Sequence, residues 1–202
     1  VTLPADWVLL ALHYQNDVVH ERGKIGVGLA RDPARRAALI EAAARLLAGA
    51  REHDVPVISV RIAFRPDHAD VVRNCRIFRD VATLGALAEG SWGAAFHDGL
   101  GPLADELVVD HKRVNAFFGS ALETILHRHG ARKLAIAGVA THSTVEHTAR
   151  HAADMGFAVT VVEDACSSAA PETHAAALAS IGLIGEIGTV EAMISEWRTA
   201  RS

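Results

Sequence analysis

The run from Leu134 to Ser168, LAIAGVATHSTVEHTARHAADMGFAVTVVEDACSS, restricts the folds open to this chain more than any other stretch. LAIAG is a short apolar segment ended by Gly138, which reads as a buried strand. From Thr144 to Met155 the small and apolar residues Val145, Thr148, Ala149, Ala152 and Ala153 recur at three- and four-residue spacing, the period of a helix. Gly156 stands where a helix C-terminal glycine belongs, and AVTVVE reads as the next strand. Together they make a β-α-β unit with a right-handed connection. Its turn, VATHST, joins the carboxyl end of a strand to the amino end of a helix. In open α/β sheets ligands bind at that edge, and free N–H groups at a helix start hold an anion or a developing oxyanion.

The same alternation runs through the rest of the chain. WVLLAL (Trp7 to Leu12) is an apolar run of strand length, followed directly by His13; Tyr14, Gln15, Asn16 and Asp17 begin a loop. Asp32-Pro33 reads as an N-cap and first-turn proline of a helix reaching about His53, with Ala37, Ile40, Ala44, Leu47 and Ala48 at helical spacing. VPVISVRIAF (Val55 to Phe64) is a second strand rich in β-branched residues, and ELVVD (Glu106 to Asp110) a third, with His111, Lys112 and Arg113 after it. Phe117 to His129 is a helix with Leu122, Ile125 and Leu126 as its apolar stripe. Pro171 opens a helix through Leu178, GEIG is a short last strand, and Val190 to Trp197 is a terminal helix. Between the second and third strands, Pro66 and the glycines suggest a long excursion over the sheet edge. Strands alternating with helices predict an α/β fold, a mainly parallel six-stranded sheet with helices on both faces.

Composition excludes several functions. The 202 residues suit one domain, 1–202, and 50% hydrophobic with 22% charged residues is ordinary for a globular protein. A net charge of −4 without a basic run gives no reason to expect a nucleic-acid partner. No apolar segment is long enough to span a membrane, and no signal peptide is visible. Two cysteines, Cys75 and Cys166, are too few for a disulfide framework and suggest a reducing cytoplasm.

The segment Gly138-Val139-Ala140-Thr141-His142-Ser143-Thr144-Val145-Glu146-His147-Thr148-Ala149-Arg150 resembles the nucleophile turn of the isochorismatase-like hydrolases, the cysteine hydrolase superfamily. WVLLALHYQND is similar to that family's first strand and following turn, and VVDHKRVNAFFGSALETIL to the segment carrying its lysine. The resemblance implies a three-layer α/β/α sandwich of Rossmann-like order 3-2-1-4-5-6 and a small-molecule substrate. It also implies a homo-oligomer, dimer or tetramer, with region 64–100 helping to wall the pocket and touching a neighbour. It further implies a cis peptide between Val139 and Ala140. Two positions depart from the family's Asp-Lys-Cys triad: His13 stands where most members have the aspartate, and Thr144 where many have the cysteine. Lys112 is the residue type the triad requires.

His13, Lys112 and Thr144 are distant in sequence, yet each falls just past the carboxyl end of a predicted parallel strand. Parallel strands put those ends on one edge, so the three side chains are expected to converge. Separately, each has a plain structural role: a rim histidine, a solvated lysine, a first-turn threonine. A hydroxyl needs a positioned base, and a histidine with reference pKa about 6.5 serves better at neutral pH than an aspartate. Lys112 would keep the pocket positive. Backbone N–H groups of the turn, at Ala140 and Thr144, would hold an oxyanion. Tyr14, Gln15, Phe64, Trp92, Phe117, His142 and Ser143 are the candidate substrate contacts. The expected activity is hydrolysis of an amide, ester or vinyl ether, the last by acid catalysis from His13. The alternative is a binding or structural member of the fold without turnover.

No cofactor is expected. GVGLAR (Gly26 to Arg31) follows no strand and is not a dinucleotide fingerprint. His147 and His151 lie four apart on one helix without the HExxH pattern. Nicotinamidases of the resembling family bind zinc through an Asp-x-His pair, whose spacing RIAFRPDHAD lacks, so no metal is expected. Cys166 reads as a small buried hydrophobe.

Overall fold

The computed structural model describes residues 6–27 and 29–200. Six parallel strands form one sheet in the order β3-β2-β1-β4-β5-β6. They are β1 Trp7–Leu12, β2 Val57–Ile62, β3 Leu107–His111, β4 Lys133–Val139, β5 Ala158–Ser167 and β6 Glu186–Gly188. The architecture is the one the sequence predicted. The central strands are near-continuous apolar runs because helices cover both faces: every residue of β1 is buried, and so are Leu134 to Val139 in β4.

Seven helices connect or flank the strands: α1 Asn16–Val19, α2 Pro33–Glu52, α3 Arg76–Leu84, α4 Leu122–His129, α5 Glu146–Asp154, α6 Pro171–Ile181 and α7 Val190–Ala200. α2 starts as its sequence says, with Pro33 in the first turn and the Asp32 carboxylate accepting the Arg35 N–H at 3.0 Å. It packs against α7 and β5, while α5 and α6 pack together against β5. Winding runs outward from β1 to β3, then returns to β4 beside β1 and runs outward the other way. The crevice of such a sheet opens where the direction changes, above the carboxyl ends of β1 and β4.

The details differ from the sequence reading in four places. The excursion after β2 contains α3, whose buried face is only Phe78 and Val81. The helix expected from Phe117 starts at Leu122, because Asn115 to Ser120 forms side-chain-stabilised turns: Asn115 Oδ1 accepts the Phe117 N–H at 2.8 Å and Ser120 Oγ donates to the Ala116 carbonyl at 2.6 Å. β5 runs on through Cys166 and Ser167 after a register shift against β4 between Ile136 and Gly138. A short α1 follows β1 directly.

Gly138, next to last in β4, pairs with Leu12 at the end of β1. Its φ is +146°, and a Cβ there would press on the Leu12 carbonyl oxygen and lie 2.7 Å from Leu12 Cβ. Both backbone angle and space therefore demand glycine. Gly138→Ala is expected to cost about 2–4 kcal/mol, read as a fall in the urea or thermal unfolding midpoint.

Candidate active site

Because β1 and β4 are neighbours, the residues leaving their carboxyl ends emerge side by side. His13 turns away from the strand in a left-handed conformation, φ 59°, unusual for a residue with a side chain, while its N–H donates to the Val60 carbonyl at 3.0 Å. Across the crevice the Val139–Ala140 peptide bond is cis, as the resemblance implied. The chain then makes one wide turn over Thr141–Val145, in which the Val145 N–H reaches five residues back to the Ala140 carbonyl at 3.2 Å. α5 continues from that turn.

A cavity of about 140 Å³ opens between these two strand ends. His13, Val139, Ala140, His142, Ser143 and Thr144 line its floor; Val18, Ile25, Val27, Ile77, Phe78, Val81 and Leu87 form most of its wall, and Arg113 and Val114 reach it from the loop after β3. The wall comes from separate segments, and buried Asp17 fastens two of them. Its Oδ1 accepts the Lys24 N–H at 3.1 Å and its Oδ2 the Leu87 N–H at 2.8 Å, while its carbonyl accepts the N–H groups of Ile25 and Gly26.

His13 meets a second histidine. Its Nε2 lies 2.5 Å from Nε2 of His111, and the rings stack with centroids 4.8 Å apart. Nδ1 of His111 contacts the Asn115 carbonyl at 3.1 Å, so that nitrogen carries a proton and donates it. Burial lowers the pKa of His13 well below the ordinary value, the neighbouring imidazole adds to the effect, and a backbone hydrogen bond to Val139 opposes it. Burial likewise lowers His111, to about 4. Both rings are therefore neutral at neutral pH, with one N–H between the two Nε2 atoms.

Thr144 is 2% exposed, and its Oγ1 is buried without a hydrogen-bond partner. A native side-chain hydroxyl is seldom left so. The neighbouring donors and acceptors are occupied: Thr141 Oγ1 bonds His174 Nδ1 at 2.8 Å, and His142 Nδ1 bonds Ser168 Oγ at 2.8 Å.

Several expected contacts lie elsewhere. Lys112 does not join His13 and Thr144: it is exposed beyond β3 and ion-paired with Asp70. Strand alternation is the reason. Val109 and His111 face inward, Asp110 and Lys112 outward. The period-two pattern of VVDHK held the signal for His111, which the sequence reading passed over.

Tyr14 is a core brace whose hydroxyl donates to the Ala165 carbonyl at 2.6 Å. Gln15 is fully buried and spent on Ile62 and Ala94 backbone groups. Phe64 packs on Phe78, Phe117 stacks on His151 with centroids 5.0 Å apart, and Trp92 is 46% exposed beneath Arg22. None of these five lines the cavity, whereas His142 and Ser143 do. Cys166 is buried, with its thiol pushed up to about 12 mainly by burial. Among the described residues no group of three or more His, Cys, Asp and Glu is placed to hold a metal, and no helix is long and apolar enough to cross a membrane.

Comparison with known proteins agrees with this fold. The family model described as Isochorismatase domain matches residues 8–192. An isochorismatase family protein of Escherichia coli O157:H7 is 31% identical over 136 residues, 67% of this chain and 70% of that protein. A maleamate amidohydrolase of Pseudomonas putida is 32% identical over 148 residues, 71% of this chain and 67% of that protein. The crystal structure of a cysteine hydrolase from Pseudomonas syringae superposes with TM-score 0.87 over 98% of this chain and 95% of that one, at 21% identity.

The buried histidines give a pH signature. Both bind protons less well when folded, so below the ordinary histidine range the unfolded chain gains protons that the folded one does not. Their contribution is intact above about pH 6.5 and is lost as pH falls toward 4. Each is worth up to about 1.4 kcal/mol per pH unit in that window. Urea unfolding at stepped pH is expected to show a steeper acid-side loss in the wild type than in His111→Gln.

Proposed function

This chain belongs to the isochorismatase family, and from that premise we propose that it hydrolyses the amide bond of a small molecule, with Thr144 as nucleophile and the His13–His111 pair as base. The observation that carries the reading is the unpartnered Thr144 hydroxyl, buried at the floor of the same cavity as His13. A relative active on maleamate supports the choice of an amide.

The hydrogen-bond network suggests which nitrogen takes the proton. His111 donates through Nδ1 to Asn115, so its Nε2 accepts, and His13 donates through Nε2. We assign Nδ1 of His13, which lies on the side of Val139 at the strand end that leads into the Thr144 turn, as the nitrogen that takes the Thr144 proton, its contact with the Val139 backbone giving way to it. Thr144 Oγ1 attacks the carbonyl carbon while Nδ1 takes its proton, giving a tetrahedral oxyanion. We assign the oxyanion to the backbone N–H groups of Ala140 and Thr144. Three other amides of the turn are committed, His142 to Ser168 Oγ and Ser143 and Val145 to the Ala140 carbonyl. Protonated His13 next gives its proton to the departing nitrogen, which leaves as amine or ammonia. Water then attacks the acyl-threonine ester with His13 again as base, releasing the acid and restoring the hydroxyl. His111 is a positioning residue that fixes the tautomer of His13. Vinyl ether cleavage is disfavoured, because it needs His13 protonated and burial opposes that. A homo-oligomer is part of the proposal, with exposed Ile77 and Leu84 of α3 as candidate contacts.

The test is release of ammonia from maleamate and other small amides. Thr144→Val is expected to abolish it, His13→Ala to lower it by at least about a hundredfold, and Lys112→Ala to leave it within about twofold. Thiol alkylation is expected to leave activity intact, and Thr144→Cys to become sensitive to it. Activity should hold from neutral pH downward and fall only well below the ordinary histidine range, as the base becomes protonated. Full activity in Thr144→Val would overturn the nucleophile assignment. Binding of a small molecule without any product would favour the non-catalytic alternative.

A further inference from the structure

Arg113 brings a charge without an acidic partner among the described residues to the edge of the cavity. It follows β3 by two residues, and its guanidinium lies over the Phe78 ring at 4.3 Å from the centroid. Its two hydrogen bonds go to neutral acceptors, the Val72 carbonyl at 3.3 Å and Asn74 Oδ1 at 3.1 Å. A guanidinium has five N–H donors, and these two bonds, both at the exposed surface, leave the others open to solvent or a ligand. Three cations of β2 and of the loops after β2 and β3 are neutralised: Lys112 by Asp70, Arg61 by Asp110 and Arg65 by Asp67. Arg113 has no carboxylate partner among the described residues, and no Asp or Glu lines the cavity.

The wall around it is aliphatic and aromatic, and His13 is held neutral. A cation in such surroundings attracts an anion more strongly than one in open water. The fork of N–H donors matches a carboxylate in shape. The carboxylate must arrive with the ligand, because the cavity supplies none.

We propose that Arg113 is the specificity residue of this site, and that the substrate is a small amide whose acyl part ends in a free carboxylate. This rests on the amide hydrolase reading above and goes further by naming the substrate class. Arg113 would seat the carboxylate at the mouth formed with Phe78 and Val114, with the amide carbonyl directed at Thr144 between the two strand ends. Neutral amides of the same size would lose the ionic contact.

The experiment compares maleamate, the monoamide of a dicarboxylic acid, with maleamide, which has the same skeleton but a second amide in place of the carboxylate. The purified full chain is expected to favour maleamate in kcat/KM by about 10- to 100-fold, the range for a charged hydrogen bond. Arg113→Gln should lose that preference, Arg113→Lys keep part of it, and Asn74→Ala, which removes only a brace, keep all of it. Calorimetric binding of maleate, measured in the wild type and in Thr144→Val, reads the anion contact without turnover. Equal rates on both amides in the wild type, or an unchanged preference in a folded Arg113→Gln, would overturn the inference while leaving the amide hydrolase reading standing. Maleate binding that disappears in Arg113→Gln, with neither amide hydrolysed, would support the anion contact and sink the hydrolase reading. No turnover and no maleate binding would sink both.

Discussion

Everything at the crevice depends on how closely β1 and β4 approach at their carboxyl ends. Gly138 has no side chain, so the strands stay paired as far as Leu12. A sheet opened one residue earlier would separate His13 from the Thr144 turn. The winding direction reverses between the same two strands, which opens the crevice above their ends. One backbone contact and one topological rule together set where a ligand enters and which residues meet it.

The polar residues around the crevice divide sharply by whether they are satisfied. Gln15 uses both ends of its amide on backbone groups, and Asp17 has each oxygen committed to a loop N–H. Such groups belong to the architecture, since leaving them unpaired in the interior costs more than a typical bond returns. Thr144 Oγ1 lies in the same setting without a partner, and Arg113 has spare donors. Among the described residues the indole nitrogens of Trp7 and Trp197, His53 Nε2 and Ser59 Oγ are also buried without a partner, but none of these residues lines the cavity, whereas Thr144 and Arg113 do.

Much of the frame was legible because its signals are local. The apolar runs at Trp7, Val55 and Leu134 are strands, and Asp32-Pro33 starts the long helix, because burial on both sheet faces and helix capping act within a few residues. The convergence of His13 and Thr144 on one cavity was legible because each follows from a strand end. The site was misread at Lys112 because a single residue in a strand decides the face, and the resemblance drew attention to the lysine and away from the alternation that turns His111 inward. The aromatic candidates failed for another reason. Phe64, Phe117 and Tyr14 are large apolar groups that the core absorbs, and nothing in their sequence neighbourhood distinguishes a wall from a core. α3 was hidden because it buries only two residues and lies among glycines and charges.

Placing two histidines together changes the electrostatics of the pocket. An aspartate beside a lysine carries charges of both signs, and the carboxylate can manage a thiol's proton. A hydroxyl, far less acidic, needs a base that is itself unprotonated and free of competing charge. Two buried imidazoles meet that need, because each discourages protonation of the other and the surrounding apolar wall discourages both. The cost is that the pair offers no fixed positive charge to a ligand. In a cavity with neutral histidines and no acidic lining, a guanidinium at the rim becomes the dominant long-range attraction. On the proposed reading, the substitutions that favour a hydroxyl nucleophile shift ligand recognition from the reacting centre to Arg113.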